Sequence, residues 1–166
     1  MKFRSLPARR SGKRQYVSVG MGGTFDRLHE GHKLFLDIAA YYGKIVHIGL
    51  TTSTYLDGSK KQYRELIQPY QVREKKIQDH LRNRQTKVNF SRLDSPGMDR
   101  KLAEQSDLAA LVVSQETCSG AIAINDSRVK SHKNRLKIII CPTVTRPDGT
   151  LERSTRIRKD DQARSS

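Results

Sequence analysis

The residues best suited to chemistry in this 166-residue chain lie in one short stretch. It holds Gly22, Gly23 and Thr24 and, a few positions on, His29, Gly31 and His32. Paired glycines let a backbone come close to a ligand, and Thr24 adds a hydroxyl donor. His29 and His32 stand three apart, so in the first turn of a helix both imidazoles project from one side. The N–H groups and dipole of a helix start already favour phosphate. Two imidazoles there can each donate to phosphate oxygens, and Gly31 removes a side chain where a nucleotide would pack. The chemistry is stabilisation of charge on a phosphate. The same residues also allow a structural histidine pair or half of a zinc site. Zinc requires a third ligand at a fixed spacing, and none is evident. Glu30 lies between the histidines but does not make an H-E-x-x-H pattern.

The elements that must position this stretch follow from apolar periodicity. Tyr16 to Met21 reads as a strand that runs directly into Gly22-Gly23. Residues 30–42 read as a helix with Leu34, Phe35, Ile38 and Tyr42 near one face. Strands are expected at 44–50, 86–93, 108–114 and 136–141. Helices are expected at about 69–84, from Pro96-Gly97 to about 106, over 119–132, and from Ser154 onward. Pro69 suits a first helical turn, and Val72, Ile77 and Leu81 are the expected buried side of that helix. Residues 51–63 read as a polar loop, and 143–151 as a loop turned by Pro147-Asp148-Gly149. The alternation predicts an α/β domain: a Rossmann-like, doubly wound sheet of about five parallel strands with helices on both faces. Ligands of such sheets bind beyond the carboxyl ends of the strands. The distinctive residues stand at those ends.

Charge bounds the partners. The net charge is +15. Residues 1–15 hold six cations (Lys2, Arg4, Arg9, Arg10, Lys13, Arg14) and no acid, which leaves +9 on the rest. A basic body suits nucleic acid, anionic lipid or a phosphorylated small molecule. No run approaches the length of a membrane span. Residues 1–15 lack the apolar region of a secretory signal and read as a disordered basic arm. Residues 16–160 read as the domain and 161–166 as a flexible tail. Cys118 and Cys141 have no metal spacing, and a reducing cytoplasm is the simpler setting.

The stretch GGTFDRLHEGH, Gly22 to His32, resembles the T/HxGH signature of the nucleotidyltransferase superfamily. Pro69-Tyr70-Gln71-Val72-Arg73 resembles the PYxVR element of archaeal and eukaryotic pantetheine-phosphate adenylyltransferases. Ser114-Gln115-Glu116-Thr117 with Gly120-Ala121 and Asn125, and then Ser154-Thr155-Arg156-Ile157-Arg158, resemble two further elements of that family. The order and spacing match from about Tyr16 to Lys159. Glu152 and Arg153 stand where the family usually has an isoleucine and a first serine.

The resemblance implies a reaction and a set of roles. ATP and 4′-phosphopantetheine would give dephospho-CoA and pyrophosphate by in-line attack on the α-phosphate, without a covalent intermediate. His32 would stabilise charge on the α-phosphate, His29 would hold the ATP phosphates, and Thr24 would contact the phosphates at the point of attack. Gly22, Gly23 and Gly31 would lie along the nucleotide. Lys60 or Lys61 would supply a cation for the acceptor phosphate, unless these lysines are simply solvated. Arg73 would bind phosphate or form a surface ion pair. Ser114 and Glu116 would meet adenine and ribose, although Glu116 also suits a helix start. Ser154 and Thr155 would bind the β- and γ-phosphates, cap their helix, or do both. Arg158 would join the phosphate cluster or face solvent. Mg²⁺ is implied, held mainly by phosphate oxygens and water, and Asp26 reads as a turn residue rather than a ligand.

Two other readings remain open at the level of sequence. A different member of the superfamily would be a cytidylyltransferase or an FMN or nicotinamide-nucleotide adenylyltransferase. A reading of another class is a basic nucleic-acid-binding protein. Aromatics are only 6% and Trp is absent, and no RNP-type pattern is present. A specific nucleic-acid partner is therefore not expected.

Overall fold

Runs such as ALVVS and KIIIC are apolar without alternation, which suits strands covered on both faces. In the structure, a computed structural model, they are inner and outer strands of one sheet. Residues 14–57, 64–105, 107–145, 148–151 and 154–165 are described. The strands are β1 (Tyr16–Gly23), β2 (Gly43–Thr51), β3 (Lys87–Leu93), β4 (Ala110–Ser114) and β5 (Lys137–Cys141). They lie in the order β3-β2-β1-β4-β5, every neighbouring pair parallel. The helices are α1 (Glu30–Tyr42), α2 (Ser53–Asp57), α3 (Tyr70–Leu81), α4 (Met98–Gln105), α5 (Cys118–Lys130) and α6 (Ser154–Ser165). The expected α/β sheet is therefore present, with a short helix, α2, inside the segment read as a loop. No helix among the described residues is long and apolar enough to cross a membrane.

The two faces of the sheet differ in filling. The parallel register sets Val19 beside Val46 and Met21 beside Ile48. That face packs on Leu36, Ile38, Ala39 and Ala40 of α1 and on Ile77 and Leu81 of α3. Each large side chain removed from water there contributes about 1.5–3 kcal/mol. The opposite face has a smaller cluster of Leu111 with Ala103 of α4, Ala121 of α5 and Leu136. Beside it the alternate positions of β1 and β2, among them Gly20, Gly22 and Gly49, line a groove of about 740 Å³.

Several buried positions differ from expectation. On α1 the buried residues are Leu36, Ile38, Ala39 and Ala40, whereas Leu34, Phe35 and Tyr42 pack at the margin. On α3 the buried stripe is Arg73, Ile77 and Leu81, and Val72 is exposed. A cation can take an inward position when carbonyls surround its head group, and Arg73 is such a case. Arg14 is another. It lies inside the region read as an arm, yet it is buried. Its guanidinium donates to the carbonyls of Ala40 and Gly43 at the end of α1 and to those of Arg84 and Gln85 after α3. A cation at helix carboxyl ends complements their dipoles, so the folded unit includes Arg14. Residues 1–13 lie outside the described residues.

Candidate active site

The site forms where β1 ends and α1 begins. Gly23 closes the strand, and a Cβ on it would sit 3.0 Å from the Phe25 ring. The chain then makes a tight turn in which Phe25 and Arg27 take φ of 51° and 44°. Left-handed backbone is costly for a bulky residue, of order 1–3 kcal/mol, and it persists only where packing enforces it. Phe25 is 2% exposed, and its ring lies 6.1 Å from Phe35 and 5.3 Å from His32. The buried ring pins the turn and backs the second histidine.

His29 occupies the N-cap of α1 with extended backbone, and its side chain does not cap the helix. Its imidazole stacks on that of His32, centroids 3.8 Å apart and planes 22° apart. The Nδ1 atoms of both rings are buried. Gly31 makes the stack possible. A Cβ there would lie 3.1 Å from His29 Cε1 and 3.2 Å from Nδ1. The missing side chain therefore clears space for the histidine ring, where the sequence reading had it clear space for a nucleotide.

Thr24 is held from both ends. Its carbonyl accepts from Arg73 Nη1 at 2.7 Å, and its hydroxyl oxygen accepts from Thr51 Oγ1 at 3.0 Å. Arg73 also donates through Nη2 to Thr51 O and through Nε to Gln68 O, both at 2.8 Å. It is 1% exposed. Burial pushes its pKa down, and the Asp26 charge opposes that shift. The expectation that Arg73 meets a phosphate or a surface acid is thus corrected. Its three-pronged head group ties the ends of β1 and β2 to the segment before α3, a geometry a guanidinium suits.

Asp26 is the centre of the turn. It is 1% exposed. Its carboxylate accepts from Gln68 N at 2.9 Å, from Arg27 Nη1 at 3.1 Å and from Arg158 Nη1 at 2.8 Å. Its backbone oxygen accepts from Ser154 Oγ at 2.8 Å. The last helix, α6, is thereby brought against the histidine turn. Of the two options for Arg158, solvent is excluded, since it is 2% exposed. Ser154 uses its hydroxyl on Asp26, and the side chain of Thr155 lies outside the described residues.

The remaining expected residues divide. Gly22 is exposed at the carboxyl edge, next to Gly49 in register. Ser114 is engaged locally: its N–H and hydroxyl meet Thr117 Oγ1 at 3.1 and 3.0 Å in a capping box. Glu116 is exposed at the rim of the groove. Lys60 and Lys61 lie outside the described residues, as do Glu152 and Arg153. Sequence reasoning missed Thr51, Gln68 and the role of Asp26. The signal for Asp26 was its place inside the GGTFDRLHEGH stretch. Gln68 and Thr51 gave none.

Comparison with known proteins follows the same lines. A sequence model of the cytidylyltransferase-like family matches residues 21–160. The phosphopantetheine adenylyltransferase of Methanothermobacter thermautotrophicus is 37% identical over 147 residues, covering 89% of this chain and 86% of that protein. The chain belongs to the phosphopantetheine adenylyltransferase family. A second member, from Pyrococcus furiosus, is 36% identical over 151 residues, covering 88% of this chain and 89% of its own length. Family membership makes the chain a nucleotidyltransferase. Among solved structures, an Archaeoglobus fulgidus protein of unknown function superposes with a TM-score of 0.63 at 25% identity, covering 82% of this chain and all of that one. Pantothenate synthetase from Thermus thermophilus gives 0.56 at 13% identity over 89% of this chain and 65% of that one, a likeness of fold alone.

Proposed function

We propose that this chain transfers AMP from ATP to 4′-phosphopantetheine, giving dephospho-CoA and pyrophosphate, a step of coenzyme A biosynthesis. The observation that carries the reading is the stacked pair His29 and His32 at the open start of α1, beside the clamped hydroxyl of Thr24. An oxygen of the acceptor phosphate attacks the α-phosphorus of ATP in line. The bond from that phosphorus to the bridging oxygen of the β-phosphate breaks, and pyrophosphate leaves. The attacking phosphate is already ionised, so no strong general base is required. Catalysis then rests on positioning and on charge stabilisation. His32 serves the α-phosphate in the transition state, His29 the ATP phosphates, and Thr24 the point of attack. The start of α6 faces the same turn, which suits the β- and γ-phosphates. The cation for the acceptor phosphate is assigned to Lys60 or Lys61.

Mg²⁺ would be held by phosphate oxygens and water and would neutralise charge on the triphosphate. Asp26 is already held by Arg27, Arg158 and the Gln68 N–H, so it is not assigned to the metal. The groove behind the carboxyl edge offers a place for the acceptor's long arm. Its lining includes Gly22, Gly49, Leu93, Leu102 and Leu108. Such walls suit an arm of methylene and amide groups.

The test is pyrophosphate release from ATP and Mg²⁺ with 4′-phosphopantetheine. Parallel trials use FMN, nicotinamide mononucleotide, and CTP with glycerol 3-phosphate, with His32→Ala as control. Release with 4′-phosphopantetheine, lost in the control, is the expected result. Release only with another pair would replace the acceptor and keep the histidine roles.

A further inference from the structure

Asp26 is 1% exposed and Arg158 2% exposed, and their side chains meet at 2.8 Å across 132 positions of sequence. A buried charge pair of this kind is dispensable for stability in general, because apolar replacements of similar volume often do as well. What it fixes here is geometry. Asp26 joins its own turn to two other segments. Its Oδ2 takes Arg158 Nη1 from α6, its Oδ1 takes Gln68 N from the segment before α3, and its own carbonyl takes Ser154 Oγ. The residues on either side of it, Phe25 and Arg27, hold left-handed backbone. The turn and the helix are thus registered against each other by one residue, at its side chain and its main chain together.

We propose that Asp26 is a positioning residue for ATP: it docks the first turn of α6 onto the histidine turn, so that the two phosphate-facing helix starts, α1 and α6, act as one cradle. The inference rests on the assignment of α6 to the β- and γ-phosphates made above. The charges around Asp26 support it. Arg27 and Arg158 both contact its carboxylate, and Arg73 lies close enough to feel its field. One carboxylate among three guanidiniums orders them and leaves the turn with a cationic excess, which a polyphosphate complements.

The experiment measures ATP dissociation by calorimetry without acceptor, alongside steady-state KM values for ATP and for 4′-phosphopantetheine. Asp26→Asn keeps the shape and removes the charge. The expected result is ATP binding weakened about tenfold or more, with the KM for the acceptor within about twofold. Arg158→Gln should weaken ATP to a similar degree. Because both act through one contact, the double variant should be little worse than either single one. ATP affinity unchanged in Asp26→Asn, with only a lower melting temperature, would overturn the proposal. Single losses that multiply in the double variant would also overturn it. Should Asp26→Asn fail to fold, Asp26→Asn with Arg158→Met removes both charges and relieves the buried cation. Wild-type affinity for ATP in that folded variant would refute the latch, and weakened affinity would support it. Wild-type protein that binds ATP but does not turn over 4′-phosphopantetheine would remove the proposed acceptor and leave the latch intact.

Discussion

Replacing Gly31 with alanine separates what this glycine does for the fold from what it does for the site. The added Cβ would lie 3.1 Å from His29 Cε1 and 3.2 Å from Nδ1, with Val144 Cβ at 3.9 Å. Carbon atoms rest comfortably at about 3.5–4.0 Å, so the imidazole must withdraw by a few tenths of an ångström. It is stacked on His32 at 3.8 Å, so His32 is disturbed as well. A displacement of about 1 Å at a reacting centre costs about 100-fold. For the smaller shift we expect a loss of about tenfold in kcat/KM, near 1.4 kcal/mol of transition-state stabilisation. The helix itself should not suffer, because alanine outranks glycine by up to about 1 kcal/mol in helical positions. Pyrophosphate release would be followed beside a urea titration. The decisive comparison is Gly31→Ala in a His29→Ala background. If the methyl group acts on the imidazole, it should cost almost nothing there. An undiminished loss in that background would mean that the methyl group strikes the nucleotide itself, and the reasoning would be refuted.

Arg73→Met should destabilise the fold by about 3 kcal/mol or more in urea unfolding, because it leaves the Thr24, Thr51 and Gln68 carbonyls without their donor. Arg73→Lys should recover only part of that, since one ammonium cannot match the fork; full recovery would count against the clamp. His47 has its pKa lowered from 6.5, first by burial and then by the Lys87 charge. The unfolded chain therefore binds the proton more readily, and this contribution to stability falls as pH drops through about 6.5. His47→Gln should lose less stability than wild type between pH 7.5 and 5.5, measured by denaturant midpoint; an equal loss would place the acid sensitivity elsewhere. Burial pushes the Cys141 thiol up to about 11. Native protein at pH 8 should therefore take up iodoacetamide at Cys118 far faster than at Cys141, as read by mass spectrometry of the peptides.

The strands and their order of appearance were legible because β-branched runs, glycines and prolines act locally. The histidine turn was legible for the same reason, all of its residues falling within eleven positions from Gly22 to His32. What escaped was whatever depends on distant backbone. Arg73 looks like a surface cation in any window of sequence, and Val72 looks like its buried neighbour. The arginine turns inward because carbonyls 22 and 49 positions away meet its head group. Arg14 was assigned to the arm for a similar reason, its acceptors lying 26 to 71 positions on. The groove was illegible because the residues that line it, among them Gly20 and Gly22 on β1 and Gly49 on β2, stand far apart in sequence. Only the register of β1 on β2 shows that they line up.

The contact between Asp26 and α6 has a consequence for how the molecule comes into being. The histidine turn is synthesised well before α6, since Ser154 and Arg158 follow 128 and 132 positions after Asp26. Chains emerge and fold from the amino end, so a growing chain can pair β1 with β2 and pack α1 long before its buried carboxylate meets Arg158. Until then Asp26 and the left-handed turn around it depend on water, on Arg27 and on Gln68. The site is thus finished only when α6 closes over the histidine turn.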